Sequence, residues 1–311
     1  MNRALTLPPE RVEHVARYAR GALIAAGAVG VVPTPLDAVR QALDLHDPED
    51  LLYLDDAPPG LLKRIRMLAG KVLGALDVRE RVVLIDRTQS HERQRFALGH
   101  ELGHAGLPWH HDAYFADDHR TLDPDTHSEL EAEANSFSAD ILFNQREFGD
   151  RAHSTALGLA AAIEMADVFE TSRQSAIRRY VEDSPRPCAL LVLGRFLVHP
   201  QGQPSMKVLR AVDSGPFRRE FGPASALFPA AFPIGEGLLG GSARTALRGS
   251  LAEPITTGDH VLLDSARGAQ TLKYEVFSNT YAVFVLLYPK QHHGLGKRVR
   301  LAWTPEEADT A

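Results

Sequence analysis

The stretch Arg95 to His110, RFALGHELGHAGLPWH, sets two histidines four residues apart, His100 and His104, with Glu101 directly after the first. On a helix, positions four apart share a face, so both imidazoles can bind one ion. Neutral imidazole suits Zn²⁺, and a catalytic zinc site takes three protein ligands and leaves one position to water. The ion lowers the pKa of that water toward about 7. Glu101 stands about 100° further round the helix, where it can reach the water rather than the metal. It would take the water's proton and later pass it to a leaving amine. The competing reading is a surface helix with two solvated histidines in a chain that holds 14. Ala97, Gly99 and Gly103 favour the metal site, because small residues let a second element approach the motif.

A third ligand must come from outside the motif. Thr126-His127-Ser128-Glu129 has the capping-box pattern, in which a hydroxyl and a carboxylate three residues on satisfy free N–H groups reciprocally. Leu130, Ala134, Phe137 and Ile141 follow at helical spacing and are expected to face a core. Glu129, Glu131 and Glu133 are the candidate carboxylates on this helix. Glu131 and Glu133 flank opposite sides of the apolar stripe, so periodicity does not choose between them.

Other elements must hold these two helices. Pro8-Pro9 opens a helix in which Val12, Val15, Ala16 and Ala19 recur at helical spacing. Leu36, Val39 and Leu43 mark a second helix. Pro58-Pro59-Gly60 punctuates the chain. Two short apolar runs, Val72–Leu76 and Val82–Ile85, suggest an antiparallel pair. The motif helix should begin near Ser90 and end at Gly106 and Pro108. Residues 157–182 read as two short helices with a break near Glu170-Thr171, capped by Thr171 or Ser172, a weak helix-turn-helix signature carrying Arg173, Arg178 and Arg179. After Ser184-Pro185 the pattern turns to strands: ALLVLGRFLV, SMKVLRAV, HVLLD and YAVFVLLY.

Residues 72–143 resemble the ImmA/IrrE family of zinc metallopeptidases. The segments that carry the resemblance are VVLIDRTQSHERQRFALGHELGH and LEAEANSFSADILF. The resemblance implies a gluzincin-like domain whose third ligand is the first glutamate of ExEAN, here Glu131, with Asn135 beside a ligand histidine. Phe143-Asn144 stands where many members carry Met-Pro, a departure that bears on the end of that helix. In radiation-response members the last domain resembles a GAF domain, which implies a small-molecule signal bound by the C-terminal domain. The implied substrate is a protein regulator, often a helix-turn-helix repressor, cut in a stress or mobile-element response.

The 311 residues are 44% apolar and 24% charged, an ordinary globular balance. A net charge of −6 argues against broad nucleic-acid binding. The single cysteine, Cys188, rules out an intrachain disulfide and reads as a small buried hydrophobe. GALIAAGAVGVV, the most apolar early run, is too short to cross a bilayer, and no signal-peptide pattern precedes it. A cytoplasmic protein with no membrane segment is expected. The fold expected is α+β. It comprises a metallopeptidase domain over residues 1–148, a helix-turn-helix-like helical module over 149–183, and a C-terminal α/β, sensor-like domain over 184–311. The metal set expected is His100, His104 and Glu131 with Zn²⁺, or Mn²⁺ or another divalent ion, and Glu101 is the catalytic base. DNA contact by residues 157–182 is not favoured over packing. The alternative is a ligand-sensing transcriptional regulator that keeps the peptidase fold as a scaffold. His110, His111 and His119 read as solvated loop residues, Trp109 as a hydrophobic anchor, and Tyr114 as a packing or surface residue.

Overall fold

The computed structural model describes residues 7–47, 74–111, 124–154, 156–198, 204–233, 256–265, 268–279 and 281–290. The Pro58-Pro59-Gly60 punctuation, Tyr114, His119 and the chain beyond residue 290 lie outside them. The fold is mixed, with helices and antiparallel sheet. The chain divides into two compact units, Met1–Ala152 with Ala162–Tyr180, and His153–Ala161 with Val181–Ala311.

In the first unit, helix α1 (Pro9–Ala25) starts at a proline, whose fixed φ suits a first helical turn. Its buried face is Val15, Ala19, Ala22 and Leu23, while Val12 is exposed. The apolar stripe therefore begins one turn later than the sequence spacing suggests. Helix α2 (Leu36–Ala42) buries Leu36 and Val39. Strands β1 (Gly74–Asp77) and β2 (Val82–Ile85) pair antiparallel, Gly74 opposite Ile85 and Asp77 opposite Val82. Helix α3 (His91–Gly106) carries the motif, with Ser90 at its N-cap in an extended conformation. Helix α4 (Pro124–Leu142) follows. It starts two residues before the capping box read from the sequence. Thr126 lies inside the first turn, because Pro124 needs no N–H there.

Leu102 from α3, Phe137 and Ile141 from α4, and Val15, Ala19 and Leu23 from α1 share one buried cluster. All four residues of the stripe Leu130, Ala134, Phe137 and Ile141 are buried. After α4 the chain passes through Asn144 and Gln145, both at positive φ. Asn144 Nδ2 donates to the carbonyls of Ala28 and Val31 and to Thr34 Oγ1, and its Oδ1 accepts from Gly30 N. The residue pair that departs from the Met-Pro ending thus ties the loop after α1 to the end of α4. Helix α5 (Arg146–Ala152) buries Phe148 against Phe143 and Phe169.

Helices α6 (Leu159–Val168) and α7 (Arg173–Glu182) flank a tight turn in which Glu170 has φ 50°. Ser172 caps α7 by accepting from Ser175 N at 3.1 Å. Ala176, Ile177 and Tyr180 form the buried side of α7. Arg179 lies over the Phe143 ring and pairs with Asp140 at 3.6 Å.

The second unit is built on strands β3 (Ala189–Val198), β4 (Ser205–Asp213), β5 (Ala231–Pro233), β6 (Thr256–Ser265), β7 (Gly268–Ser278) and β8 (Ala282–Pro289), with short helices α8 (Gly215–Phe221) and α9 (Ala224–Leu227). The sheet order is β5-β4-β3-β8-β7-β6, antiparallel throughout. Phe217, Phe221 and Ala224 pack with Leu191, Val276 and Val285, so the helices cover one face. Cys188 is buried, and burial pushes its thiol up to about 11. Within this unit the buried Glu275 accepts from Tyr288 Oη at 2.6 Å and from Leu159 N at 2.7 Å, which leaves its two oxygens satisfied. Among the described residues no helix is long and apolar enough to cross a membrane.

Candidate metal centre

His100 and His104 project from one face of α3, and Glu131 reaches them from the second turn of α4. The two helices can meet closely because α3 has no side chain where they cross. A Cβ on Gly103 would lie 2.9 Å from the Ala134 Cα and carbonyl oxygen. His104 Nε2 lies 3.1 Å from His100 Nε2. Glu131 Oε2 lies 3.4 Å from His100 Nε2, and its Oε1 3.4 Å from His104 Nε2. Tetrahedral ligands bonded at about 2.0–2.1 Å stand roughly 3.3–3.4 Å apart, and each pair of these side chains approaches that spacing, the imidazoles through Nε2 and Glu131 with one oxygen toward each ring. Two imidazoles and one carboxylate are also the donor chemistry a catalytic zinc ion takes.

The electrostatics separate the roles of the four side chains. Burial pushes the Glu101 carboxyl up to about 7; His100 opposes the shift and the charge of Glu131 adds to it. Burial is also the main cause that takes His104 down to about 4, with His100 and His110 lowering it further against the pull of Glu131. At His100 burial opposes the charged form, but Glu131, Glu101 and Asn135 outweigh it and raise the pKa. The neighbouring His100 and His104 rings hold Glu131 well below the ordinary carboxylate range. Glu101 sits against β1, where a Cβ on Gly74 would come within 2.9 Å of its Oε1. A glycine at that strand position makes room for the carboxyl.

Residues 63–180 match the model of the peptidase M78 family, described as an IrrE N-terminal-like domain. The chain carries an M78 peptidase domain. M78 is a metallopeptidase family, which agrees with the donor set assembled by α3 and α4. No curated protein matches the chain in sequence. Among solved structures, a Mycobacterium tuberculosis transcriptional regulator is similar at a TM-score of 0.47 and 12% identity, covering 92% of this chain and 90% of that one.

Behind the triad, the M78 domain holds a layer of partners that was only partly legible in the sequence. His100 Nδ1 is 3.2 Å from Asn135 Oδ1, one turn after Glu131. His110, read from the sequence as a solvated loop residue, is fully buried. It returns to the motif because the chain leaves α3 at Leu107 and makes a further helical turn over residues 108–111. His110 Nδ1 lies 2.9 Å from His104 Nδ1, and its Nε2 lies 2.8 Å from Glu133 Oε2. Glu133 therefore faces away from the triad, and Glu131 is the glutamate that reaches it. Trp109 Nε1 donates to Glu133 Oε2 at 2.6 Å, and the Arg11 guanidinium donates to its other oxygen. Burial alone would raise the Glu133 pKa, but these three donors outweigh it and lower it. Trp109 also packs against His14 and Tyr18 of α1, which makes it an anchor with a polar end. His111 Nε2 lies 2.8 Å from the Ala105 carbonyl and is half-buried. No spacing rule could have found His110, because its contact depends on how the chain turns after α3.

Proposed function

We propose that this chain is a zinc-dependent endopeptidase in which His100, His104 and Glu131 hold the ion and Glu101 is the general base. The observation that carries the reading is the convergence of three donor side chains, each pair with donor atoms 3.1–3.4 Å apart, beside a buried carboxyl. When bound, the ion would supply an acidified water and polarise the scissile carbonyl. The chain's own residues do the rest. Glu101, with a pKa near neutrality, accepts a proton from water at the site and hands it to the leaving nitrogen. Asn135 holds the His100 ring, so that Nε2 faces the triad.

The substrate class in this reading is a protein regulator, a helix-turn-helix repressor whose single cut releases transcription in a stress or mobile-element response. In this reading the C-terminal unit would bind a small-molecule signal. The internal ion pair of Arg179 with Asp140 supports a packing role for α7 rather than DNA contact. The deciding experiment pairs metal analysis with cleavage. The zinc-loaded chain should cut its helix-turn-helix repressor at one bond, read by mass spectrometry. Glu101→Gln should keep the metal and lose about 10²–10⁴-fold in rate. His104→Ala and Glu131→Ala should lose the metal. Equal cleavage by Glu101→Gln would overturn the assignment of the base, and a cellular phenotype unchanged by Glu101→Gln would favour the scaffold role.

A further inference from the structure

His104 offers two nitrogens, and only one can face the triad with a lone pair. Its Nε2 lies beside His100 Nε2 and Glu131, so that atom must be free of a proton if it is to bind a cation. For a neutral His110 ring, the side chains on the other edge of His104 leave one consistent arrangement of protons. Glu133 takes hydrogen bonds from Trp109 Nε1 and from the Arg11 guanidinium, so it is the anionic end of the chain. An ionised carboxylate only accepts, which places the His110 proton on Nε2, 2.8 Å from Glu133 Oε2. The His110 Nδ1 then carries a lone pair, and the atom 2.9 Å from it is His104 Nδ1. That atom must donate. The opposite tautomer of His104 would set two lone pairs against each other in a site where His110 is fully buried and Glu133 is 1% exposed.

We propose that His110 and Glu133 are positioning residues that keep His104 in the Nδ1–H tautomer and so aim its Nε2 lone pair at a divalent cation. Arg11 and Trp109 fix Glu133, which ties helix α1 to the orientation of a ligand on α3. The consequence for metal affinity rests on the proposed zinc site. The tautomer itself is a property of the metal-free chain and is measured without it.

The experiment is a long-range ¹H–¹⁵N correlation spectrum of the histidine rings in the metal-free full chain, with zinc affinity measured by chelator competition. Two substitutions separate the parts. Gln at 110 still offers an oxygen to His104 and an N–H to Glu133, whereas Leu offers neither. Wild type and His110→Gln should show the His104 proton on Nδ1 and bind zinc with similar affinity. His110→Leu should lose that single tautomer and bind zinc about 10–100-fold more weakly. A proton on Nε2 of His104 in the wild-type chain would overturn the proposal. So would a folded His110→Leu chain with wild-type zinc affinity. Should His110→Leu not fold, the wild-type and His110→Gln spectra decide. Should the wild-type chain bind no zinc, the metal reading falls and the spectrum still decides the tautomer.

Discussion

Gly103 and Ala134 meet backbone to backbone: a Cβ on the glycine would stand 2.9 Å from the Ala134 Cα. The contact brings Glu131 of one helix within reach of the two histidines of the other. Because the obstructing atoms are backbone, they cannot rotate away. Gly103→Ala should therefore destabilise the chain by about 1–2 kcal/mol, since overpacking costs more than the helix propensity gained by replacing glycine. It should also weaken zinc binding by separating Glu131 from the histidines. Denaturant midpoints and zinc titrations check both effects. A variant more stable than wild type with unchanged zinc affinity would show that the close crossing does not set the triad.

Metal binding should expel protons. His100 is held above its ordinary pKa, and Glu101 is raised to about 7. Near pH 6, in the range where imidazoles titrate, both carry protons in part in the metal-free chain. A cation requires the His100 nitrogen bare and favours the ionised Glu101. Zinc affinity should then rise with pH, and calorimetry in buffers of different ionisation enthalpy should register proton release that fades at higher pH. Glu101→Gln should release fewer protons than wild type. A binding heat that does not change with buffer near pH 6 would remove His100 from the ligand set.

The same carboxyl links pH to stability when zinc is absent. An acid that titrates at 4.5 when unfolded and near 7 when folded is protonated in the native state and ionised in the unfolded one between those values. The unfolded state then binds fewer protons, so stability falls as pH rises through that window. In chelator, Glu101→Gln should be more stable than wild type at about pH 8, by at most roughly 3 kcal/mol. The difference should vanish below the unfolded pKa. Parallel melting curves over that range measure it.

The two-helix frame of the centre was legible in the sequence because helical spacing, Gly106 and the stripe Leu130, Ala134, Phe137 and Ile141 are local signals. The choice between Glu131 and Glu133 was not, since both border the stripe and only the crossing at Gly103 decides which one faces α3. The resemblance to a family pointed to Glu131 where periodicity was silent. His110 was hidden for a related reason: polar, six residues past His104, and buried only by the turn over residues 108–111. Strand β7 was legible but not read: Leu272, Tyr274 and Val276 alternate with Lys273 and Glu275, which is the period of a half-buried strand. What depends on neighbours in sequence was readable; what depends on contacts across the fold was not.

Asn144 gives the sharpest test of such a long-range contact. Its amide satisfies Gly30 N, two carbonyls and Thr34 Oγ1, while its backbone sits at φ 48°, where most L side chains are strained. Asn144→Ala removes the hydrogen bonds and keeps a Cβ in that conformation, so a loss of roughly 3 kcal/mol is expected from unsatisfied buried groups plus strain. Asn144→Gly removes the same hydrogen bonds but relieves the strain, and should be more stable than the alanine variant by about 1 kcal/mol. Both should bind zinc like wild type, because the loop they loosen lies at the end of α4, more than two turns from Glu131. Equal stability of the two variants would show that the left-handed backbone carries no cost here. A loss of zinc in either would mean that the end of α4, and not only its crossing with α3, sets the ligand geometry.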